Sequence, residues 1–524
     1  MARPVLIAGQ WRDSDASSTF QADNPVTREK LADEYPVSRW TDCDAALEAA
    51  AAAFEVLREM PGSRIAEFLE AFAQRIEQRA DELVAMANQE TALPVSPRLR
   101  DVELPRTTNQ LRLAAKAARS GSWRQAVIDT ASGLRSCYAP LGPVAVFGPN
   151  NFPFAFNSVA GGDFAAAIAA GNPVIGKANT SHPGTTRLFA EEALIALQET
   201  GLPPATVQLL YRTSHEDGER LVSDHRLGAT GYTGSRSAGL KLKSAADAAG
   251  KPIYLELSSI NPVVILPGAI EERGDQIAEE FQTSCLMGTG QFCTNPGLVL
   301  LLAGEATDAF VRKLAERFDA APAGTLLSAS VFKSLGQAVS QLKQAGATQL
   351  TQSTNAGQGY SHPNTLLQID GKTFLADPEL WQTEAFGNVS LLVIADDVAQ
   401  AGRIIDHLEG NLTGCVYSDT TGKDDATYQQ LAVRLRHKVG RLLNDKMPTG
   451  VAVSPAMNHG GPFPATGHPG FTAVGIPASM IRFAALHSYD NVRPHRLPAI
   501  LQDANPTGET WRCIDGRWTL DDVK

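Results

Sequence analysis

The chain has 524 residues, 43% of them hydrophobic and 20% charged, the mix of a globular protein and not of a disordered one. Its 46 Lys and Arg against 57 Asp and Glu leave a formal charge of −11, which argues against a nucleic-acid binder that works by neutralising phosphates. A single core does not serve a chain this long, so two or three domains are expected.

Residues 1–40 alternate short apolar runs with turn signals such as Asp23-Asn24-Pro25, a strand-rich start. The first apolar run is short and meets Arg12 and Asp13 at once, unlike a secretory leader. A packing helix follows, with Ile65, Phe68, Leu69, Phe72, Ile76 and Leu83 at helical spacing. From Pro140 onward, apolar strands (144–147, 173–176, 207–211) alternate with helical stretches (160–170, 183–198). That is the signature of a mostly parallel sheet, whose ligands sit beyond the carboxyl ends of its strands. A second such run starts near Pro252 with 253–257 and 263–266, a helix over 276–287 and a strand over 298–302, and continues to about residue 450. The segment 460–470, rich in Gly and Pro, reads as a loop shaping a site or an interface.

No apolar stretch reaches the ~20 residues that cross a bilayer. Six scattered cysteines with no CxxC suit a reducing compartment, so a soluble cytoplasmic protein with no membrane or nucleic-acid partner is the expectation. Ten histidines form no HExxH or zinc-spaced cluster, and no metal site is expected.

Three segments could carry chemistry. Gly288-Thr289-Gly290 opens a G-x-G, but Cys293 stands where a dinucleotide fingerprint needs its third glycine, and no P-loop occurs. The same glycines, with Thr294, Asn295 and Pro296, surround the Cys293 thiol; it is either a nucleophile held open or a small buried hydrophobe. Glu256, at the end of an apolar strand before a polar turn, is either a general base or an ordinary strand-edge carboxylate. Asn151, in the turn after the strand 144–147, could donate its amide to an oxyanion or satisfy its own backbone.

Together, Gly290-Gln291-Phe292-Cys293, Asn151-Phe152-Pro153, Gly171-Asn172-Pro173-Val174-Ile175-Gly176-Lys177, Tyr232-Thr233-Gly234-Ser235, Glu256-Leu257 and Glu384-Ala385-Phe386-Gly387 resemble the aldehyde dehydrogenase superfamily over nearly the whole chain. The resemblance implies two Rossmann-related parallel α/β domains plus a small oligomerisation β-flap. It implies a cofactor domain of residues 1–120 and 139–254, a thiol domain of 255–462, and oligomerisation segments at 121–138 and 463–524, in a homodimer or homotetramer. It also implies that Cys293 attacks an aldehyde, that Asn151 and the Cys293 N–H hold the oxyanion, and that Glu256 activates the water that frees the acid. Pro149 would border the nicotinamide end of the cofactor, Lys177 would bond the adenine ribose, and Gly234 and Ser235 would bring a phosphate to a helix N-terminus. Glu384 would hold the nicotinamide ribose with Phe386 packed beside it.

Two departures from the family pattern refine this. Thr180 stands where NAD-preferring members commonly carry a glutamate, so NADP is expected to be preferred and NAD accepted. Arg212 is either the cation for the 2′-phosphate or a solvated surface residue. The run Glu256-Leu257-Ser258-Ser259-Ile260-Asn261 and the segment from His459 to Thr466 are similar to a bacterial branch. That branch holds NADP-dependent 2,5-dioxopentanoate dehydrogenases and a long-chain fatty aldehyde dehydrogenase, and the former is favoured. Phe156 and Val159, expected on a helix beyond Asn151, would line the aldehyde tunnel or pack in the core. A cysteine hydrolase or acyltransferase is the alternative of another class. No motif places a histidine for it, and the Lys177 and Glu384 segments would go unexplained.

Overall fold

The protein, described as a computed structural model over residues 2–354 and 356–524, is built on two seven-stranded sheets. The first runs Ile253–Glu256, Ala229–Thr233, Val144–Phe147, Val174–Lys177, Val207–Leu210, Val5–Ile7, Gln10–Arg12. Its first five strands are parallel and the N-terminal pair is antiparallel. The second runs Thr348–Gln349, Thr365–Asp370, Val389–Ala395, Leu298–Leu302, Val263–Ile265, Asn411–Tyr417, Val439–Asn444, parallel except at Thr348–Gln349. Central strands such as Val144–Phe147 and Leu298–Leu302 are apolar because helices cover both faces. The α/β architecture is the one the alternation of runs led us to expect.

A three-stranded ribbon lays Arg212–Thr213 beside Lys30–Ser38 and Ala16–Asp23. A five-stranded sheet joins Ala484–Asp490, Leu134–Pro140, Val127–Ile128, Arg512–Ile514 and Arg517–Thr519.

Two expectations are corrected. The helix over 276–287 starts earlier and spans Pro267–Leu286. Residues 153–160 form turns, and the helix begins only at Gly162, so Phe156 and Val159 are not helical. Asn157 is the cause: its Oδ1 accepts the Val159 N–H at 3.0 Å and its Nδ2 donates to the Pro153 carbonyl at 2.9 Å, a local bonding that competes with a helix. Val159 is fully buried in the core of the first sheet, where a Cβ on Gly176 would come within 2.3 Å of it. That is the core packing that was the second of its two readings.

Candidate active site

The thiol loop follows the helix Pro267–Leu286 and precedes the strand Leu298–Leu302. Gly288, Thr289 and Gly290 all take left-handed backbone angles, with φ of 55°, 58° and 69°. For the β-branched Thr289 this is a strained conformation, of the kind that persists where a site over-determines it. A Cβ at Gly290 would lie 2.1 Å from the Gly387 carbonyl oxygen, so glycine is required. Asn261, itself at φ 47°, donates from Nδ2 to the carbonyls of Cys293 and Asn295, both at 2.9 Å. Its Oδ1 accepts from Ser259 and Thr413 at 2.9 and 3.0 Å. The departure at 258–262 thus has a local purpose: a fully satisfied amide clamps the thiol loop.

Cys293 is partly exposed, while Cys43, Cys137, Cys285 and Cys415 are buried. Asn151 is brought to it, its Nδ2 donating one hydrogen bond to the Gln291 carbonyl at 3.0 Å and keeping a second N–H. The turn that carries Asn151 is braced by residues to which sequence reasoning gave no role. Buried Glu103 accepts the N–H groups of Phe154 and Ala155 at 2.9 and 3.0 Å and pairs with Arg98 at 2.8 Å. Arg98 also donates to the Asn151 carbonyl at 2.9 Å.

Glu256 ends the edge strand of the first sheet and is 1% exposed. Segment 459–470 caps that edge: the Leu257 N–H donates to the Ala465 carbonyl at 2.8 Å and the Gly467 N–H to the Leu255 carbonyl at 3.0 Å. This pairing delivers His459, which no motif had placed. Its Nε2 lies 3.0 Å from Glu256 Oε1 and 3.4 Å from Cys293 Sγ, and Glu256 Oε2 is buried without a partner among the described residues. The only sequence signal was that His459 opens the unusual Gly-Gly-Pro run. Burial, then the charge of Glu256, push the Cys293 thiol well above its ordinary pKa, and Arg106 pulls part of that back.

A separate cleft of about 840 Å³ opens at the carboxyl end of the first sheet, lined by Pro149, Lys177, Thr180, Arg212, Gly234 and Ser235 among others. Among the described residues Lys177 has no ionic partner, and burial with nearby Arg212 lowers its pKa to about 8. Ser235 precedes the helix Arg236–Ala248 without capping it through its side chain, which leaves first-turn N–H groups free for an anion. An unpartnered ammonium, a guanidinium and an uncapped helix end together fit a dinucleotide. The turn at its rim is fixed by His182, whose Nε2 meets the Pro149 carbonyl at 2.9 Å; burial lowers the imidazole pKa to about 4, so the ring is neutral and donates. Glu384 and Phe386 line a cavity other than this cleft, and Glu384 also lines a second one. Glu384 accepts the Ser259 N–H at 3.3 Å. Phe156 is brought to the thiol side, its ring 5.9 Å from that of His459 and 5.2 Å from that of Phe152.

Comparison with known proteins agrees with this geometry. The model described as "Aldehyde dehydrogenase family" matches residues 11–461. Alpha-ketoglutaric semialdehyde dehydrogenase 2 of Azospirillum brasilense is 39% identical over 514 residues, covering 96% of this chain and 97% of that protein. Alpha-ketoglutaric semialdehyde dehydrogenase of Acinetobacter baylyi is 36% identical over 523 residues, covering 98% of each. Among solved structures, an aldehyde dehydrogenase of Pseudomonas syringae in complex with NAD+ and octanal superposes with a TM-score of 0.79 at 19% identity, covering 95% of this chain and 98% of that one. Lactaldehyde dehydrogenase of Escherichia coli gives 0.78 at 22% identity, with 93% and 98% covered. With a matched span of this length and a thiol, an amide and a carboxylate converging beside a dinucleotide cleft, the chain belongs to the aldehyde dehydrogenase family, oxidoreductases that turn aldehydes into acids with a nicotinamide dinucleotide.

Proposed function

We propose that the enzyme oxidises 2,5-dioxopentanoate (α-ketoglutaric semialdehyde) to 2-oxoglutarate, with NADP preferred and NAD usable. The observation that carries the substrate is the likeness, over nearly the full length, to two relatives of that name. The NADP preference is supported by Lys177 and Arg212 on a cleft where Thr180 offers a hydroxyl and no repelling carboxylate.

The residues then act as follows. Glu256 takes the Cys293 proton, and the thiolate attacks the aldehyde carbon. The second N–H of Asn151 and the backbone N–H of Cys293 hold the oxyanion of the adduct, each such donor contributing about 3 kcal/mol. When bound, the cofactor supplies the nicotinamide ring that accepts hydride. Glu256, once it has passed the thiol proton to solvent, then draws a proton, with Nε2 of His459 in reach, from the water that hydrolyses the thioester. A Cys–His–Glu trio suits this hydrolytic half.

The first sheet and its helices (1–120, 139–254) would hold the cofactor, residues 255–462 the thiol, and 121–138 with 463–524 a second subunit, in a dimer or tetramer. No helix among the described residues is long and apolar enough to cross a membrane, and all six cysteines are free, which supports a reducing, cytoplasmic setting.

Initial rates of nicotinamide reduction with 2,5-dioxopentanoate, succinic semialdehyde and decanal, each with NADP and with NAD, test this reading. The first aldehyde with NADP is expected to give the highest kcat/KM, and Cys293→Ser to lower it by several orders of magnitude. A strong preference for NAD overturns the cofactor assignment. Decanal as the best substrate overturns the aldehyde in favour of the fatty-aldehyde reading. Thioester hydrolysis without any aldehyde oxidation makes the protein a hydrolase.

A further inference from the structure

Among the described residues, two arginines beside the thiol have no ionic partner of the kind that half-buried guanidinium groups ordinarily find. Arg106, in the helix Leu104–Ser120, donates from Nη1 to the Val451 carbonyl at 2.9 Å, while its Nε and Nη2 are buried with no partner among the described residues. Its guanidinium carbon lies 5.8 and 5.5 Å from the ring centres of Phe152 and Phe156, and the Phe156 ring stacks edge-on against His459 beside Cys293. Arg441, in the strand Val439–Asn444, donates from Nη2 to the Pro448 and Gly450 carbonyls at 3.1 and 3.3 Å, and its Nε is buried with no partner among the described residues. Both therefore hold the same segment, 448–451, and both interact electrostatically with Cys293. Glu103, the carboxylate acting most strongly on Arg106, is already committed to Arg98.

Two positive charges taken out of water without a counter-charge are costly to the fold. They make sense if the ligand brings the anion. The vacant donors of Arg106 are informative in kind: Nε–H and Nη2–H lie side by side on one edge of a planar group and match the two oxygens of a carboxylate. We propose that Arg106, through Nε and Nη2, grips the carboxylate of the substrate remote from its aldehyde, with Arg441 adding a second positive charge to the same subsite. The subsite selects short ω-oxo acids over neutral aldehydes. This rests on the semialdehyde reading above, and it supplies the anchor that no sequence motif identifies.

The test is a selectivity ratio: kcat/KM for 2,5-dioxopentanoate or succinic semialdehyde divided by kcat/KM for pentanal. In the unaltered enzyme the ratio should be well above one. In Arg106→Gln it should fall on the order of 10- to 100-fold, chiefly through KM, as expected for losing a charge-assisted pair. Arg106→Lys, which keeps the charge and loses the fork, should fall between, and Arg441→Gln should lower the ratio less. Because Arg106 also acts on the Cys293 thiol, the ratio and not the absolute rate is read. A low ratio in the unaltered enzyme sinks the semialdehyde reading. A high ratio that survives both glutamine substitutions overturns the arginine subsite and leaves that reading standing. Should Arg106→Gln not fold, the Arg106→Lys and Arg441→Gln ratios decide, and no change in either overturns the proposal.

Discussion

Cys293 rests as a thiol. Burial and the facing Glu256 carboxylate both disfavour the thiolate, so the nucleophile has to be made when it is needed. Glu256 and His459 are the groups placed to make it. With its proton on Nε2, His459 can donate to the carboxylate at 3.0 Å and to the sulfur at 3.4 Å, steadying the thiolate as the thiol's proton leaves. A donor to the charged form lowers a pKa, and removing it raises one. His459→Ala is therefore expected to cut kcat/KM by about 10²-fold and to move both its pH profile and the pH dependence of iodoacetamide alkylation of Cys293 to higher pH. A lower rate with both profiles unmoved would make His459 a mere packing residue. At this scale the sequence identified Cys293, Glu256 and Asn151 through short motifs, but His459 is 166 residues from Cys293 in the chain, and nothing local ties them. Lys177, Thr180 and Arg212 line one cleft because Lys177 ends one parallel strand, Thr180 follows it, and Arg212 follows the next strand, Val207–Leu210. Val159 is not helical, as the family resemblance had implied, because Asn157 bonds the backbone there into turns, and it packs in the core, the other reading it was given.

Among the elements, strands were the more legible. Leu298–Leu302 is an unbroken apolar run bounded by Gly297 and Gly304, and such a run in a central parallel strand needs no alternation. Helix ends were less so, because several are set by residues from elsewhere. The helix Pro183–Thr200 has no side-chain cap of its own. Its first N–H groups are taken instead by Glu90 from the helix Ala80–Thr91, which accepts from Gly184 N at 2.7 Å and from Thr185 N and Oγ1 at 2.9 and 2.7 Å. Desolvation outweighs those bonds and raises the Glu90 pKa from 4.5 to about 7. Being raised in the fold, this group adds stability that is full below pH 4.5 and is lost as the pH climbs through about 7. Glu90→Ala should cost roughly 2–4 kcal/mol by leaving buried backbone donors unpaired. It should also remove that part of the fall in urea midpoint between these pH values; an unchanged midpoint and slope would refute the cap.

For the molecule as a whole, the five-stranded sheet has one buried and one bare face. Ile128, Cys137 and Arg512 are buried on the inner side. Register puts Val127 opposite Ser136 and Cys513, and Cys513 opposite Trp518, so Val127 and Trp518 share the outer face with Leu134 and Leu486. All four are exposed, Leu486 at 58% and Trp518 at 54%, and Ala484–Asp490 is an edge strand. Exposed apolar clusters next to a free edge suit a second copy of the chain. Sedimentation velocity is expected to show a dimer or tetramer, and Leu486→Glu with Trp518→Glu should weaken association by roughly a hundredfold or more. A monomer in the unaltered protein would refute this face as an interface.

What the sequence determined by itself was everything encoded at short range: two runs of alternating strand and helix, a cysteine among glycines, a lysine at a strand end, an amide in a turn. Backbone preference and hydrophobic period act over a few residues, so they can be read in order along the chain. The tertiary structure alone decided which distant groups share a space. Edge pairing of the C-terminal segment on Ile253–Glu256 brought His459 to the thiol, and the fold left Arg106 and Arg441 bonded to segment 448–451 with no ionic partner among the described residues. Such contacts depend on how sheets, loops and helices pack against one another, and no spacing between residues records that.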